Sequence, residues 1–362
     1  MPIYMDRHDL PGVTAQDVAE AHGQDLKVQH LYDCRALTYW FDEERQTAFC
    51  LIEAPNKEAV TMLHKNAHGL VPHQIIEVNK QIVESFLGRI KDPEGSKPDS
   101  SGYLRESALR FLLTFRLNFI EQQPIRHNQE ELARINKILK NYNGRMAESI
   151  GQVLICSFTN ATAAIQCASE MRQMLLTKVS SDISDKEVKL GLYAGTPVDE
   201  NNELFGQAVN ISGYLCFISS SNTIVVSPSV KEYCDHKGIE CWKDVTDIKF
   251  LTQTEEHFLA QLIINMKQKI SSTEFSMGNL AQVLGLSQSQ LYRNVVALSH
   301  KSPGALFKAL KLDHALSLMK RQDRTLAEIA FESGFGSPSY FTKCFKKRFN
   351  ISPSSYLESS LH

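Results

Sequence analysis

Histidines are concentrated at the start of this 362-residue chain, where their imidazole nitrogens could hold a metal ion. Six of the twelve histidines lie within the first 80 residues, with two of the eight cysteines. His64 and His68 are four residues apart in a segment that predicts a helix, so both side chains share one face and could bind the same ion. Imidazole suits borderline metals such as nickel or zinc, and His22 and His73 are further candidate ligands. The alternative is an ordinary pair of surface or hydrogen-bonded histidines.

A second set of candidates lies in the last hundred residues, where one short pattern occurs twice. Leu280-Ala281 and Gly285-Leu286 are repeated, 49 positions later, as Ile329-Ala330 and Gly334-Phe335. Each copy predicts a helix, a tight turn at the glycine and a second helix opened by a serine, which is the pattern of a helix-turn-helix. Two such units predict a protein that binds the major groove of double-stranded DNA.

The residues that open the second helix of each unit would face the DNA. Arg293 is suited to a guanine, because its guanidinium can donate two parallel hydrogen bonds. Lys346, Lys347 and Arg348 are expected to bind phosphates, which position a protein without reading sequence. For any one of these side chains, the alternative is an ordinary exposed position on a helix. The predicted base-contacting residues are Gln288, Ser289, Tyr292 and Arg293 in the first unit, and Ser339, Thr342 and Lys343 in the second.

The charge distribution supports DNA binding by one end of the chain. Residues 258–362 contain 13 Lys and Arg against 6 Asp and Glu, whereas residues 1–257 contain 26 against 35. The net charge of −2 therefore hides a basic C-terminal region on an acidic body. A basic surface confined to one domain is what phosphate binding by that domain requires.

Residues 257–358 resemble the DNA-binding domain of the AraC/XylS family of transcription regulators. The resemblance runs through Leu291-Tyr292-Arg293, Ser302-Pro303, Ala327–Phe335, Ser339–Lys347 and Ser352–Tyr356. It implies an all-α domain of two helix-turn-helix units joined by a long helix, which binds promoter DNA. The family often has an arginine where Lys343 stands, so we expect the second unit to read bases more weakly than the first.

The histidine-rich segment, residues 1–80, predicts the element order βαββαβ, a ferredoxin-like α+β fold. Thr14 caps the first helix with Asp17 three residues later, and the second helix runs from Asn56 to His68. The segment is similar to a family of small ferredoxin-like nickel-binding proteins, a resemblance that implies a metal-sensing domain with nickel or another divalent transition metal as its cofactor. It runs through Tyr4–His8, Leu37–Asp42 and Ala67–Leu70, and the predicted strands are Ile3–Arg7, Ala36–Phe41, Ala48–Ile52 and Gln74–Val78.

A linker is expected at residues 81–103, and residues 104–245 predict a second mixed α/β domain. This domain resembles the class III adenylyl and guanylyl cyclases, through Glu148–Phe158, Val188–Gly195 and Phe205–Ser212. Active members use two aspartates to bind metal ions and an arginine to stabilise transferred charge. Gln152 replaces one aspartate, the first strand offers no acid, and Tyr214 stands where the arginine is expected, four residues after Asn210. We therefore expect a degenerate, non-catalytic cyclase-like domain, and the resemblance implies a homodimer.

Together these features predict a transcription regulator, in which a ligand or metal sensed upstream controls a DNA-binding domain. Two alternatives stay open: an active nucleotide cyclase with a DNA-binding tail, and a metal-storage protein. The first residues lack a secretory signal, and no segment is apolar for long enough to span a membrane. The cysteines are scattered, with no CxxC pair, as expected of reduced thiols in a cytoplasmic protein.

Overall fold

Three units follow one another along the chain, as predicted: an α+β N-terminal domain, a mixed middle domain and an all-α C-terminal domain. No helix in the part of the chain that the structure describes is long and apolar enough to cross a membrane. The structure is a computed structural model that describes residues 1–93, 104, 106–116, 125–150, 153–177, 189–199, 202–220, 223–240, 242–243, 245–272, 275–321 and 323–359.

The N-terminal domain has the predicted βαββαβ order, and its four strands form an antiparallel sheet in the order β2-β3-β1-β4. Thr14 caps α1, and Asp17 completes a capping box by accepting from the Thr14 backbone N–H. Asn56 caps α2 through a hydrogen bond from the Ala59 N–H. The elements are β1 Ile3–Asp9, α1 Ala15–Val28, a 3-10 turn Gln29–Tyr32, β2 Arg35–Asp42, β3 Thr47–Glu53, α2 Lys57–Ala67 and β4 Gln74–Val78.

A third helix, α3 (Lys80–Leu87), lies in the stretch expected to be a linker. It is amphipathic, and its buried residues Val83, Phe86 and Leu87 join the core instead of facing solvent. The Phe86 carbonyl accepts hydrogen bonds from Ser157 Oγ at 2.7 Å and from Arg110 Nε at 3.2 Å, both in the middle domain. Helix α3 therefore joins the first two domains, and residues 94–103 of the expected linker lie outside the described residues.

The middle domain is built on a six-stranded sheet in the order β10-β9-β8-β5-β7-β6. Its apolar strands are buried on both faces, with α4, α5 and α7 on one side and α6 on the other. The short strand β10 pairs with β9 in parallel and extends the domain beyond the predicted boundary at residue 245. The elements are β5 Arg110–Arg116, α4 Ile125–Asn141, β6 Arg145–Ile150, β7 Val153–Phe158, α5 Ala161–Thr177, β8 Lys189–Gly195, α6 Gly206–Ile218, β9 Ile224–Val226, α7 Pro228–Lys237 and β10 Ile248–Phe250.

The C-terminal domain consists of helices alone in its described residues. Its helices are α8 Gln253–Gln268, α9 Met277–Val283, α10 Gln288–Ser299, α11 Pro303–Met319, α12 Leu326–Glu332, α13 Pro338–Phe349 and α14 Pro353–Ser359. The predicted long connecting helix is α11, in which Pro303 occupies the first turn and Ser302 caps the N-terminus. At about 1.5 Å per residue, its 17 residues span roughly 25 Å.

One apolar core runs through all three domains. It contains Met5 and Trp40 from the N-terminal sheet, Leu112 and Tyr214 from the middle domain, and residues such as Leu262 from α8. The opposite face of the N-terminal sheet packs separately against α1 and α2. The N-terminal sheet is therefore covered on both faces, by its own helices on one side and by the rest of the protein on the other.

Candidate metal centre and nucleic-acid interface

Six metal-ligating side chains gather between the N-terminal sheet and its two helices, and we call them the metal cluster. Because strand residues alternate, Asp6 and His8 of β1 point to the same face of the sheet, toward α2. Helix α2 brings His64 onto this face, completely buried. The members are Asp6, His8, Asp25, Cys50, His64 and His68.

His64 is at the centre of the cluster and contacts carboxylates on both sides of its ring. Its Nε2 atom lies 2.9 Å from Asp6 Oδ2, and its Nδ1 atom lies 3.2 Å from Asp25 Oδ1. His8 Nε2 lies 3.2 Å from the other oxygen of Asp6. On the outer side, His68 Nε2 lies 3.1 Å from His64 Nδ1 and 3.2 Å from Asp25 Oδ1.

These contacts form two donor sets that share His64. Asp6, His8, Cys50 and His64 make one set, and Asp25, His64 and His68 make the other; in each, the donor atoms lie within 4.8 Å of one another. Cys50 belongs to the first set from β3, where its backbone N–H also donates to Asp6 Oδ1 at 3.1 Å. Imidazole, thiol and carboxylate donors together suit borderline transition metals better than magnesium or calcium.

The protonation of the cluster is set by competition between burial and charge. Burial opposes the charged form of His64, but the carboxylates of Asp6 and Asp25 outweigh it and raise the pKa of His64 to about 10. Burial likewise opposes ionised Asp6, yet His64 and His8 hold the pKa of that carboxyl well below its usual range. Burial, together with the charge of Asp6, raises the pKa of the Cys50 thiol well above its ordinary value. Without an ion, the cluster is thus held by a protonated His64 between two carboxylates.

The chemistry of the donors fits a metal ion. His8 Nε2 and Asp25 Oδ1 are buried atoms that lie near charged neighbours without hydrogen-bond geometry. Buried polar atoms are normally satisfied, and an ion in either donor set would satisfy the one that belongs to that set. The predicted pair His64 and His68 does come together in this cluster.

Two predicted ligands lie elsewhere. His22 Nε2 lies 3.0 Å from Asp92 Oδ2, and its ring packs against Tyr39. His73 is exposed at the start of β4, where its Nδ1 atom accepts a hydrogen bond from the Asp9 N–H. Neither residue joins a donor set within the described part of the chain.

In the C-terminal domain, both glycine-centred turns have the backbone conformation that their sequence requires. Gly285 between α9 and α10 has φ +67°, and Gly334 between α12 and α13 has φ +77°, a left-handed region that favours glycine. Ser287 and Ser337 then cap the second helix of each unit. Behind these helices, Leu291 and similar apolar residues are buried.

Nine of the ten predicted DNA-contacting side chains are exposed on the second helices of the two units, α10 and α13. Tyr292 is 55% exposed although it is a large aromatic residue, as expected of a side chain that meets a ligand instead of a core. The exposed residues are Gln288, Ser289, Tyr292 and Arg293 on α10, and Ser339, Thr342, Lys343, Lys346 and Lys347 on α13. Arg348, which was also expected to bind a phosphate, is only partly exposed. Its Nη2 atom lies 3.6 Å from Asp313 Oδ1.

Residues 280–359, which contain both turns, match the family profile described as "Helix-turn-helix domain". This region is a helix-turn-helix domain. The helix-turn-helix domain is 29% identical over 105 residues to the uncharacterized HTH-type transcriptional regulator YidL of Escherichia coli, covering 29% of this chain and 34% of that protein. The chain spans less than two fifths of the length of the curated relatives it matches.

The regions upstream of the helix-turn-helix domain have relatives of their own. Residues 4–78 match the profile described as "Nickel responsive protein SCO4226-like". The crystal structure of SCO4226 from Streptomyces coelicolor is 34% identical and covers 21% of this chain and 94% of that one, with a TM-score of 0.20. The crystal structure of an adenylate/guanylate cyclase/hydrolase from Silicibacter pomeroyi is 23% identical. The match covers 36% of this chain and 80% of that one, with a TM-score of 0.30.

Two of the middle-domain positions that bear on catalysis are described by the structure. Tyr214 is a buried member of the common core, and burial raises the pKa of its hydroxyl. Asn210 lies one turn earlier on the same helix, α6. Gln152 lies outside the described residues. A neutral, buried tyrosine cannot supply the positive charge that an arginine would bring to a phosphoryl group.

The acidic members of the metal cluster were missed by sequence reasoning. Asp25 lies on α1 and Asp6 on β1, so each is distant in sequence from His64, which they contact. A usable signal was present in β1, where Asp6 and His8 are two residues apart in a predicted strand, so both side chains point to the same face of the sheet. Buried acids next to a histidine pair would have predicted a metal site with carboxylate ligands.

Proposed function

We propose that this protein is a transcription regulator that binds promoter DNA through its helix-turn-helix domain and responds to a divalent transition metal bound by the metal cluster. The observation that carries the proposal is the exposure of a complete set of polar and basic side chains on both recognition helices, α10 and α13. Each helix opens at a capped N-terminus beside a left-handed glycine, which is the arrangement needed to enter a major groove. The match of this region to regulators supports the same function.

Within this proposal, the two recognition helices have different roles. Arg293 on α10 reads a guanine, and Gln288, Ser289 and Tyr292 contact neighbouring base edges. On α13, Lys343 stands where an arginine could donate two parallel hydrogen bonds to one base. A lysine ammonium is a point charge, so α13 contributes less to sequence recognition than α10. Lys346 and Lys347 bind phosphates.

The cofactor is nickel or a related ion, held by Asp6, His8, Cys50 and His64 or by Asp25, His64 and His68. Nickel binding is supported by the buried donor sets and by the match of residues 4–78 to a profile of nickel responsive proteins. A bound ion would supply positive charge to the carboxylates of the cluster, which otherwise face the protonated ring of His64. Asp6 and Cys50 alternate along their strands with Met5 and Leu51, whose side chains belong to the core shared by all three domains. A shift of the sheet on metal binding would therefore reach the helix-turn-helix domain through packed side chains.

The middle domain is proposed to be a non-catalytic spacer that brings two chains together. Tyr214 in place of a cation and the absence of an acid from β5 support the loss of catalysis. Incubation with ATP or GTP and manganese tests this directly, and a cyclic product that disappears in Asn210→Ala would contradict it. Light scattering of the eluting protein tests the homodimer, which requires twice the 40.8 kDa mass of one chain.

A gel-shift titration of the full-length protein with a pool of genomic promoter fragments tests DNA binding. We expect discrete shifted species that survive excess nonspecific competitor. Arg293→Ala should weaken the shift and relax selectivity at one base pair, whereas Lys137→Ala, which removes an exposed positive charge from α4 of the middle domain, should leave both unchanged. If no fragment of the pool shifts, either with or without nickel, the proposal is contradicted.

A further inference from the structure

A cavity of about 740 Å³ lies between the middle domain and the helix-turn-helix domain. The middle domain contributes residues of α6, β5 and β7, and the C-terminal part contributes residues of α8 and α11 together with Tyr356. None of the residues that line the cavity belongs to the metal cluster or to the predicted DNA-contacting set. The cavity is large enough for a drug-sized molecule, a class that commonly fills roughly 300–1,000 Å³.

Most of the cavity wall is hydrocarbon. Ile155, Val209, Phe217, Ile263 and Leu310 are among the residues that line it, and they come from both domains. An apolar wall favours a ligand with an apolar body, because binding removes both surfaces from water. Gly213 adds open space, since a Cβ atom built there would meet no other atom within 4 Å.

The charged groups of the wall are mainly positive. Arg116, Lys267 and Lys320 line the cavity, against Asp313 as its single carboxylate. Arg116 Nη1 lies 2.6 Å from Asp313 Oδ2, so this carboxylate is already engaged by an arginine. The Lys267 ammonium lies 4.8 Å from the centre of the Tyr214 ring. An anion entering the cavity would meet an excess of positive charge in a region that is partly shielded from water.

The Arg116–Asp313 pair also ties the two domains together. Arg116 is at the end of β5, and Asp313 lies in the middle of α11, the helix between the two helix-turn-helix units. Burial alone would raise the pKa of Asp313, but Arg116 and Arg348 outweigh it and hold that pKa below its ordinary value. An anion bound beside Arg116 would compete with Asp313 for the same guanidinium.

We propose that this cavity is a binding site for a small organic anion with an apolar body, such as an aromatic or aliphatic acid, whose acidic group lies among Arg116, Lys267 and Lys320. The site is separate from the metal cluster. The proposal does not depend on the proposed function, because the lining residues and their charges are independent of whether the protein binds DNA.

The test uses the full-length protein and the fluorescent anion 8-anilinonaphthalene-1-sulfonate, with calorimetry to count sites. We expect one saturable site per chain. The uncharged analogue N-phenyl-1-naphthylamine, which lacks the sulfonate, should bind at least about tenfold more weakly, a difference of about 1.4 kcal/mol. Equal affinity for the two probes, or binding without a defined stoichiometry, would overturn the proposal.

Two matched glycine variants locate the bound probe. Gly213 lines the cavity from α6, and a Cβ atom there meets no neighbour, so a leucine at this position should extend into the cavity and weaken probe binding by about tenfold or more. Gly304→Leu places the same side chain at an exposed, equally open glycine on α11 and should change the affinity by less than about twofold. Lys267→Met, which keeps the apolar stem and removes the charge, should weaken the sulfonate and not the neutral analogue. Unchanged sulfonate binding in both Gly213→Leu and Lys267→Met would place the probe elsewhere and refute the site.

Discussion

The two turn glycines offer a matched pair of substitutions that tests how the helix-turn-helix domain is held together. Gly285 and Gly334 occupy equivalent positions in the two units, and both have a left-handed backbone. A Cβ atom at Gly285 would meet nothing within 4 Å, whereas one at Gly334 would overlap the Ile270 carbonyl oxygen. Ile270 follows α8, so this close approach joins the second unit to the N-terminal part of the domain. Alanine should therefore be tolerated much better at Gly285 than at Gly334.

The expected costs follow from these two contributions. A left-handed backbone costs an L-residue roughly 1–2 kcal/mol, and this cost applies to both variants. At Gly334 the overlap also forces backbone to move, for which overpacking typically adds about 1–3 kcal/mol. Lys311 Nζ donates to the Gly334 carbonyl at 2.6 Å, so the displaced turn would strain this hydrogen bond as well. We expect a total of about 2–5 kcal/mol for Gly334→Ala.

Hydrogen exchange of the full-length protein measures this difference locally, because a three-domain chain need not unfold in a single step. Amides of α12 and α13 in Gly334→Ala should exchange about 30-fold or more faster than in the unmodified protein, since 1.4 kcal/mol corresponds to a factor of ten. The same amides in Gly285→Ala should change little, with the smaller effect confined to α9 and α10. If Gly285→Ala accelerates exchange in α9 and α10 as much as Gly334→Ala does in α12 and α13, the role assigned to the Ile270 contact is refuted.

Three further predictions concern the metal cluster and the DNA interface. Nickel must displace the proton of His64, whose pKa of about 10 keeps it protonated at neutral pH, so calorimetry should show an affinity for the set of Asp25, His64 and His68 that rises about tenfold per unit between pH 7 and 9. Binding by the set that includes Cys50 should rise more steeply, because the raised pKa of the thiol adds a second proton to displace; a flat profile would contradict both. Asp25→Asn should weaken nickel binding by about tenfold or more, whereas His73→Asn should not, because His73 lies outside the donor sets; equal losses would remove Asp25 from the site. In DNA titrations, Arg293→Ala should cost about 1–3 kcal/mol and relax selectivity at one base pair, whereas Lys346→Ala should lower affinity for all sequences and reduce the salt slope by about 1; the reverse pattern would exchange their roles.

The sequence predicted those elements whose signals are local. The capping box of Thr14 and Asp17, the two glycine turns and the short apolar strands of the N-terminal sheet all depend on residues within a few positions of one another. Helix α6 is apolar on nearly every face, so its sequence lacks the helical period of polar residues by which a helix is predicted. Strand β10 was missed because three residues carry too little pattern to stand out.

The residues of the candidate sites also separate into those that local sequence predicts and those that only the packing of distant elements brings together. The exposed polar face of α10 follows from helix geometry alone, and so does the pairing of His64 with His68. Asp6 and Asp25 could not be assigned from spacing, because only the packing of β1 and α1 around α2 brings them to His64. The ion pair between Arg116 and Asp313 also depends on how the middle and C-terminal domains pack together, so no local sequence pattern predicts it.

If the metal cluster and the helix-turn-helix domain are coupled as proposed, nickel must change the affinity of the protein for DNA. The measurement uses the full-length protein and a fragment selected from the genomic pool, in EDTA and then at saturating nickel. We expect the affinity to change by about fivefold or more, the lower range of typical coupling between sites, and the change to disappear in Asp25→Asn. The same affinity in EDTA and in nickel, from a protein that binds both the ion and the DNA, would contradict the account.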